Sequence, residues 1–93
     1  MVVASVSWDF SLVGCTSLKE KRSVVRSLRD RLVRTFKVSV AETAYQDVHE
    51  RAQLTAALVA SDGRVAESLL DRMDAFVEEH SEARILRVHK ERY

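Results

Sequence analysis

The chain has 93 residues, 46% of them apolar and 31% charged, with a formal net charge of +1. That is enough for one domain with a single modest core, and too little for two. A single cysteine, Cys15, excludes an internal disulfide and a cysteine-based metal cage. No apolar run approaches the roughly 20 residues needed to cross a membrane. The first dozen residues also lack the basic start of a signal peptide. A soluble protein of the reducing cytoplasm is expected, occupying residues 1–93 as one unit.

Net charge conceals a segregation. Between Lys19 and Lys37 there are eight basic residues against Glu20 and Asp30. Between Asp62 and Glu79 there are six acids against Arg64 and Arg72. Two oppositely charged segments matter more for partners than the overall balance does.

The N-terminal stretch alternates. Val2, Ala4, Val6, Trp8, Phe10 and Leu12 interleave with Val3, Ser5, Ser7, Asp9 and Ser11. This period of two predicts a strand with one heavily apolar face. Gly14 then breaks the strand. Ser17, followed three residues later by Glu20, has the form of a capping box that opens a helix.

The helix runs from Ser17 to about Phe36. Val25, Leu28, Leu32 and Phe36 recur at spacings of three and four, giving one buried stripe. Lys19, Arg22, Arg26 and Arg29 recur in the same rhythm and form a second, wholly basic row, which Arg34 extends. Lys21 joins these cations in the first turns. Such a row rewards contact with phosphates through counterion release. Its alternative role is a solvated helix face balanced by the acidic segment.

Val38–Tyr45 is rich in β-branched residues and predicts a second strand. Gln46–Glu50 is a polar connection, and Arg51–Ala60 a third strand with Leu54 and Leu58 on one face. Ser61 or Asp62 caps a second helix that buries Val65, Ala66, Leu69, Leu70, Met73, Phe76 and Val77. Glu67, Asp71, Asp74 and Glu78 form an acidic row along it. Glu82–Glu91 supplies a last strand through Ile85, Leu86 and Val88.

Strand, helix, strand, strand, helix, strand with right-handed crossovers gives an α+β, ferredoxin-like domain. The sheet is antiparallel in the order 4-1-3-2, with both helices on one face. The other face, carrying Ser5, Ser7, Gln53 and Thr55, is too polar for a second core. It has no aromatic side chains on which bases could stack. The chain contains no asparagine, which removes the arginine–asparagine pair of acylphosphatase-like enzymes on this fold.

Around the central connection, Glu42, Gln46, Asp47 and Arg51 form a polar cluster, with His49 beside them. A hydrogen-bonded turn shaped by Asp47, with Arg51 paired to a carboxylate, is expected there rather than a metal site using Glu42, Asp47 and His49. The Gly14–Ser17 helix opening is a second place where an anion could dock. Cys15 has no base beside it in sequence. No catalytic constellation, metal or cofactor site is recognised, so the chain reads as a non-enzyme.

SLKEKR at Ser17–Arg22, VSVAE at Val38–Glu42 and QDVHERA at Gln46–Ala52 resemble the signature blocks of the YlxP-like proteins. These are small bacterial domains of unknown biochemical function with a ferredoxin-like fold. Their genes often lie among those for translation initiation and ribosome maturation, so the resemblance implies an RNA or ribosome partner acting through the basic helix. It implies no catalytic residues. There are two departures from the blocks: Thr16 stands where a histidine often precedes Ser-Leu-Lys, and Val48 and His49 stand where an aromatic often follows Gln-Asp. The alternative partner is a second copy of the chain, since a four-stranded sheet leaves two edges and one face open.

Overall fold

A computed structural model describes all of residues 1–93. Six elements follow one another: β1 (Val2–Ser11), α1 (Leu18–Phe36), β2 (Ser39–Ala44), β3 (Arg51–Ala60), α2 (Gly63–His80) and β4 (Arg84–Arg92). The sheet is antiparallel in the order β2-β3-β1-β4. The architecture is the ferredoxin-like βαββαβ arrangement read from the sequence.

β1 is the spine. It pairs with β3 from Val2↔Ala60 to Ser11↔Arg51 without interruption, and with β4 on its other side. Its alternation therefore sorts residues cleanly. Ala4, Val6, Trp8 and Phe10 are buried beneath the helices, facing Ala52, Leu54, Ala56 and Leu58 of β3. Leu28 and Leu32 of α1 and Leu70, Met73 and Val77 of α2 close the core from above. Each large side chain buried this way contributes about 1.5–3 kcal/mol. Phe36 and Phe76 meet edge-to-face across the two helices, with ring centroids 5.4 Å apart.

Helix ends follow local chemistry. Ser17 accepts a hydrogen bond from the Glu20 N–H at 3.1 Å, and Asp62 accepts one from Val65 at 2.9 Å. Glu20 does not reach back to Ser17 as a full capping box requires. Its carboxylate takes the N–H and hydroxyl of Thr16 instead. α1 ends on Lys37 in the left-handed region, φ 55°, whose N–H bonds Val33 O at 2.8 Å.

Two register shifts were not foreseen. Phe10 pairs with Ile85 but Asp9 with Arg87, so Leu86 is an extra residue in β4. The bulge lets Ile85 and Val88 both face the core, three positions apart, and leaves Leu86 47% exposed. Leu86 is thus not a core residue of the last strand. A second shift lies at Thr43, between Glu42↔Leu54 and Ala44↔Gln53.

Candidate functional site

The basic row lies on the outer side of α1. Lys19, Arg22 and Arg26 are exposed, and no carboxylate lies within 4.0 Å of any of them. Arg29 differs: its guanidinium is held by the neighbouring Asp30 at 3.0 Å. Arg34 sits in the last turn, about three turns beyond Arg22, where its charge favours the C-terminal end of the helix dipole. Between α1 and the sheet edge, Arg22, Arg26 and Arg29 line a shallow groove of about 190 Å³ with Val25, Glu42 and Leu54. On the outer flank, Lys19, Arg22 and Arg26 share a hollow with Ser23, Ser27 and Asp30.

The acidic row of α2 does not neutralise this face. It turns to β4 instead. Lys90 lies 3.0 Å from Asp71 and 3.8 Å from Asp74, and Arg92 lies 3.1 Å from Glu67. Asp74 also accepts the indole N–H of the fully buried Trp8 at 3.1 Å. The pairing holds Lys90 protonated above its ordinary range, through the hydrogen bond to Asp71 first. Glu67, Asp71 and Asp74 are therefore engaged within the fold, while Glu78 of the same row stays exposed without a cation within 4.0 Å.

Lys21 does not belong to the basic face. Its side chain is 1% exposed, and its Nζ donates to Tyr45 O and to Val48 O (2.8 Å). Glu42 Oε2 lies 2.9 Å from the same nitrogen. Burying an ammonium requires such partners: two carbonyls accept its hydrogen bonds and the carboxylate balances its charge. Lys21 thus ties the first turns of α1 to β2 and to the β2–β3 connection. The three sequence blocks around Lys21, Glu42 and Gln46–Ala52 converge on this one nitrogen.

The polar cluster resolves around that anchor. Gln46 donates to Glu42 O at 3.2 Å, and the turn closes through Val48 N–H to Tyr45 O at 3.0 Å, with Tyr45 at φ 64°. Asp47 contributes no side-chain hydrogen bond to the turn, contrary to the role expected of it. Arg51 pairs with no carboxylate either. Its guanidinium lies over the Tyr45 ring, 4.6 Å from the centroid, and donates to the Tyr45 hydroxyl at 3.4 Å. His49 Nδ1 bonds Cys15 O at 2.8 Å, closing the helix opening against the same connection. Glu42, Asp47 and His49 do not converge into a metal-holding set.

The anion site imagined at the helix opening is taken by the chain itself, because the Glu20 carboxylate already receives Thr16 N–H at 3.2 Å. A crevice between the helices, lined by Val24, Leu28, His80 and Ala83, measures about 30 Å³. That is room for one water rather than a ligand.

Sequence reasoning missed two residues. Tyr45 organises the connection through its carbonyl and its ring. Asp9, on the open face of the sheet, is only 9% exposed. The signal for Asp9 was present: it is the only charged residue in β1.

Known proteins place the chain. A family model described as a protein of unknown function, DUF503, matches residues 3–90. The uncharacterized protein YlxP of Bacillus subtilis (strain 168) is 38% identical over 66 residues, which is 71% of this chain and 72% of that protein. A solved structure from structural genomics, protein YJCS, superposes with a TM-score of 0.58 at 6% identity. It covers 96% of both chains and so shares the fold alone. By the family match and the identity to YlxP together, the chain belongs to the DUF503 family.

Proposed function

We propose that the protein is a non-enzymatic RNA-binding module that grips backbone phosphates with the outer face of α1, ribosomal RNA being the natural class of target. One observation carries this reading. Lys19, Arg22 and Arg26 present three exposed charges without a carboxylate partner, while Glu67, Asp71 and Asp74 of α2 are occupied by Lys90 and Arg92. Phosphate contacts position a protein without reading sequence, so this face is expected to bind structured RNA with little selectivity. A single buried, free Cys15 suits a cytoplasmic setting.

The test is binding of wild type and an Arg22→Glu, Arg26→Glu double variant to ribosomes or structured RNA across a salt series. Salt-sensitive binding by wild type and its loss in the variant is the expected result. Absence of salt-sensitive binding by wild type ends this reading.

A second reading, self-association, is favoured by the outer edge of β2, which is unpaired and carries no lysine or proline to discourage pairing. On β3, past the Ser39↔Ala57 end of its pairing with β2, Val59 is 68% exposed. Light scattering that finds a monomer at high concentration removes it.

A further inference from the structure

The open face of the sheet, opposite the helices, carries a continuous hydrogen-bond chain. Ser7 Oγ and Thr55 Oγ1 are 2.7 Å apart, Thr55 Oγ1 and Thr43 Oγ1 2.8 Å. Thr43 then donates to Gln53 Oε1 at 2.6 Å, and Gln53 Nε2 donates to Asp9 Oδ1 at 2.8 Å.

The direction of this chain is fixed. A hydroxyl has one proton, and that of Thr43 is committed to Gln53. Thr43 must then accept from Thr55, and Thr55 from Ser7. Ser7 is left with acceptor lone pairs only. Asp9 is a carboxylate whose Oδ2 receives no protein donor. Both residues line a wholly polar hollow of about 320 Å³ with Gln53, Arg87 and His89. Its floor offers the acceptors of Ser7 and Asp9, and Asp9 as a whole residue is only 9% exposed.

The rim carries one cation of its own, Arg87, opposite Asp9 in register, with Arg84 further along the same face opposite Ser11. Neither arginine has a carboxylate within 4.0 Å, and nor does Asp9 have a cation. His89 is held in place by Glu91 Oε1 at 2.8 Å.

The adjacent acceptors of the floor are the two oxygens of the Asp9 carboxylate, so a fitting ligand presents adjacent donors to Asp9 and an anionic group to Arg87. A lysine or arginine from a partner meets the first demand but offers nothing to Arg87. A neutral base carrying a phosphate meets both. Among the bases, guanine alone places two adjacent donors, N1–H and the N2 amino group, on its pairing edge. Adenine and cytosine put a ring acceptor beside their amino group, and uracil flanks its one N–H with two carbonyls. Unstacked bases are read in this way by carboxylates and flat side chains, with Arg and His planes replacing aromatics.

We infer that the Ser7–Asp9–Gln53 hollow is a guanine-binding site, Asp9 accepting from the base edge and Arg87 facing the phosphate. The guanine comes either from a free nucleotide or from an unpaired residue of RNA. The site stands on the face opposite the basic row and does not depend on it.

The experiment is NMR titration of ¹⁵N-labelled protein with GMP, IMP, AMP, and a short single-stranded RNA with its guanosines present or replaced by adenosine. GMP or the guanosine RNA is expected to shift the amides around Ser7, Asp9, Gln53 and Arg87. IMP, lacking the amino group, and AMP should bind more weakly. Asp9→Asn, which replaces one acceptor by a donor, should weaken binding by roughly tenfold or more. Should that variant fail to fold, the exposed Arg87→Ala change is expected to weaken GMP binding in its place. Shifts with GMP assign a free nucleotide, and shifts with the guanosine RNA alone assign an RNA residue. No shift on this face, equal response to AMP and GMP, or undiminished binding by Asp9→Asn overturns the inference. The Arg22→Glu, Arg26→Glu variant should keep the GMP response, so failure of the helix surface and failure of this site are separable.

Discussion

Lys21 Nζ sits 2.9 Å from Glu42 Oε2, at the point where α1, β2 and the β2–β3 connection meet. The lysine is 1% exposed and the glutamate 23%, so the ion pair is shielded on one side and open on the other. Two carbonyls of the connection, Tyr45 O and Val48 O, complete the ammonium's partners. The arrangement joins elements that are far apart in sequence through one nitrogen.

Removing that nitrogen should be costly. Lys21→Met keeps the apolar stem but leaves Glu42 without its counter-ion and two carbonyls without their donor. Breaking one side of a buried pair typically costs 3–5 kcal/mol, and the partial exposure of Glu42 places the expected loss near ~3 kcal/mol. Urea denaturation of Lys21→Met measures it. A loss below about 1 kcal/mol, the level of a surface pair, contradicts the anchoring role.

The order of elements, the strand faces and the core were legible because apolar spacing states them directly. Lys21 was misplaced although its position was written in the same rhythm. Lys21, Val25, Leu28 and Leu32 recur at four, three and four, so Lys21 continues the buried stripe. A charged side chain in that stripe suggests an exposed position, whereas in the fold two carbonyls of the β2–β3 connection and Glu42 offset the charge. Leu86 was illegible for another reason. A one-residue bulge reverses the face of everything on one side of it, and no residue in Ile85–Val88 announces it. The engagement of Asp71 and Asp74 by Lys90 needed the register of β4, which sequence spacing does not give.

The exposed row makes a graded prediction. Arg22→Ala and Arg26→Ala should each lower the slope of log affinity against log salt by about 1, because each removes one phosphate contact. Arg34→Ala, about three turns away from Arg22, should leave the slope unchanged. Lys21→Met should change stability rather than slope. Filter binding to one structured RNA at several salt concentrations checks all four. Equal slopes for wild type and the Arg22 and Arg26 variants would exclude α1 as the contact surface.

Trp8 tests the polar side of the core. Its indole is fully buried beneath the helices, and its N–H reaches Asp74 Oδ1 at 3.1 Å. Asp74→Ala orphans that donor, with an expected cost of about 1–3 kcal/mol. Trp8→Phe in the same background removes the orphan. A double-mutant cycle should therefore show the two changes to be non-additive, the Asp74 change costing less once Trp8 is gone. Additive losses would mean that the hydrogen bond contributes nothing.

The clamp of β4 onto α2 should show itself in alkaline solution. Lys90 is held protonated above its ordinary value of 10.5, chiefly by its hydrogen bond to Asp71 and then by the charges of Asp71, Asp74 and Glu67, against some desolvation. A lysine whose folded value is raised stabilises the fold fully below its unfolded value. That stabilisation is lost as pH rises through the folded value, once the ammonium gives up its proton. Lys90 is 36% exposed and Asp71 68%, so solvent screens the pair and its contribution is only ~0.2–1 kcal/mol. Lys90→Met should thus be less stable than wild type by that amount at neutral pH. The difference should shrink towards zero above pH 10.5. Asp71→Asn should behave the same way, because it removes the partner that raises Lys90. Thermal unfolding of the three proteins from neutral to strongly alkaline pH is the measurement, and a wild-type advantage that persists undiminished at the alkaline end contradicts the pairing.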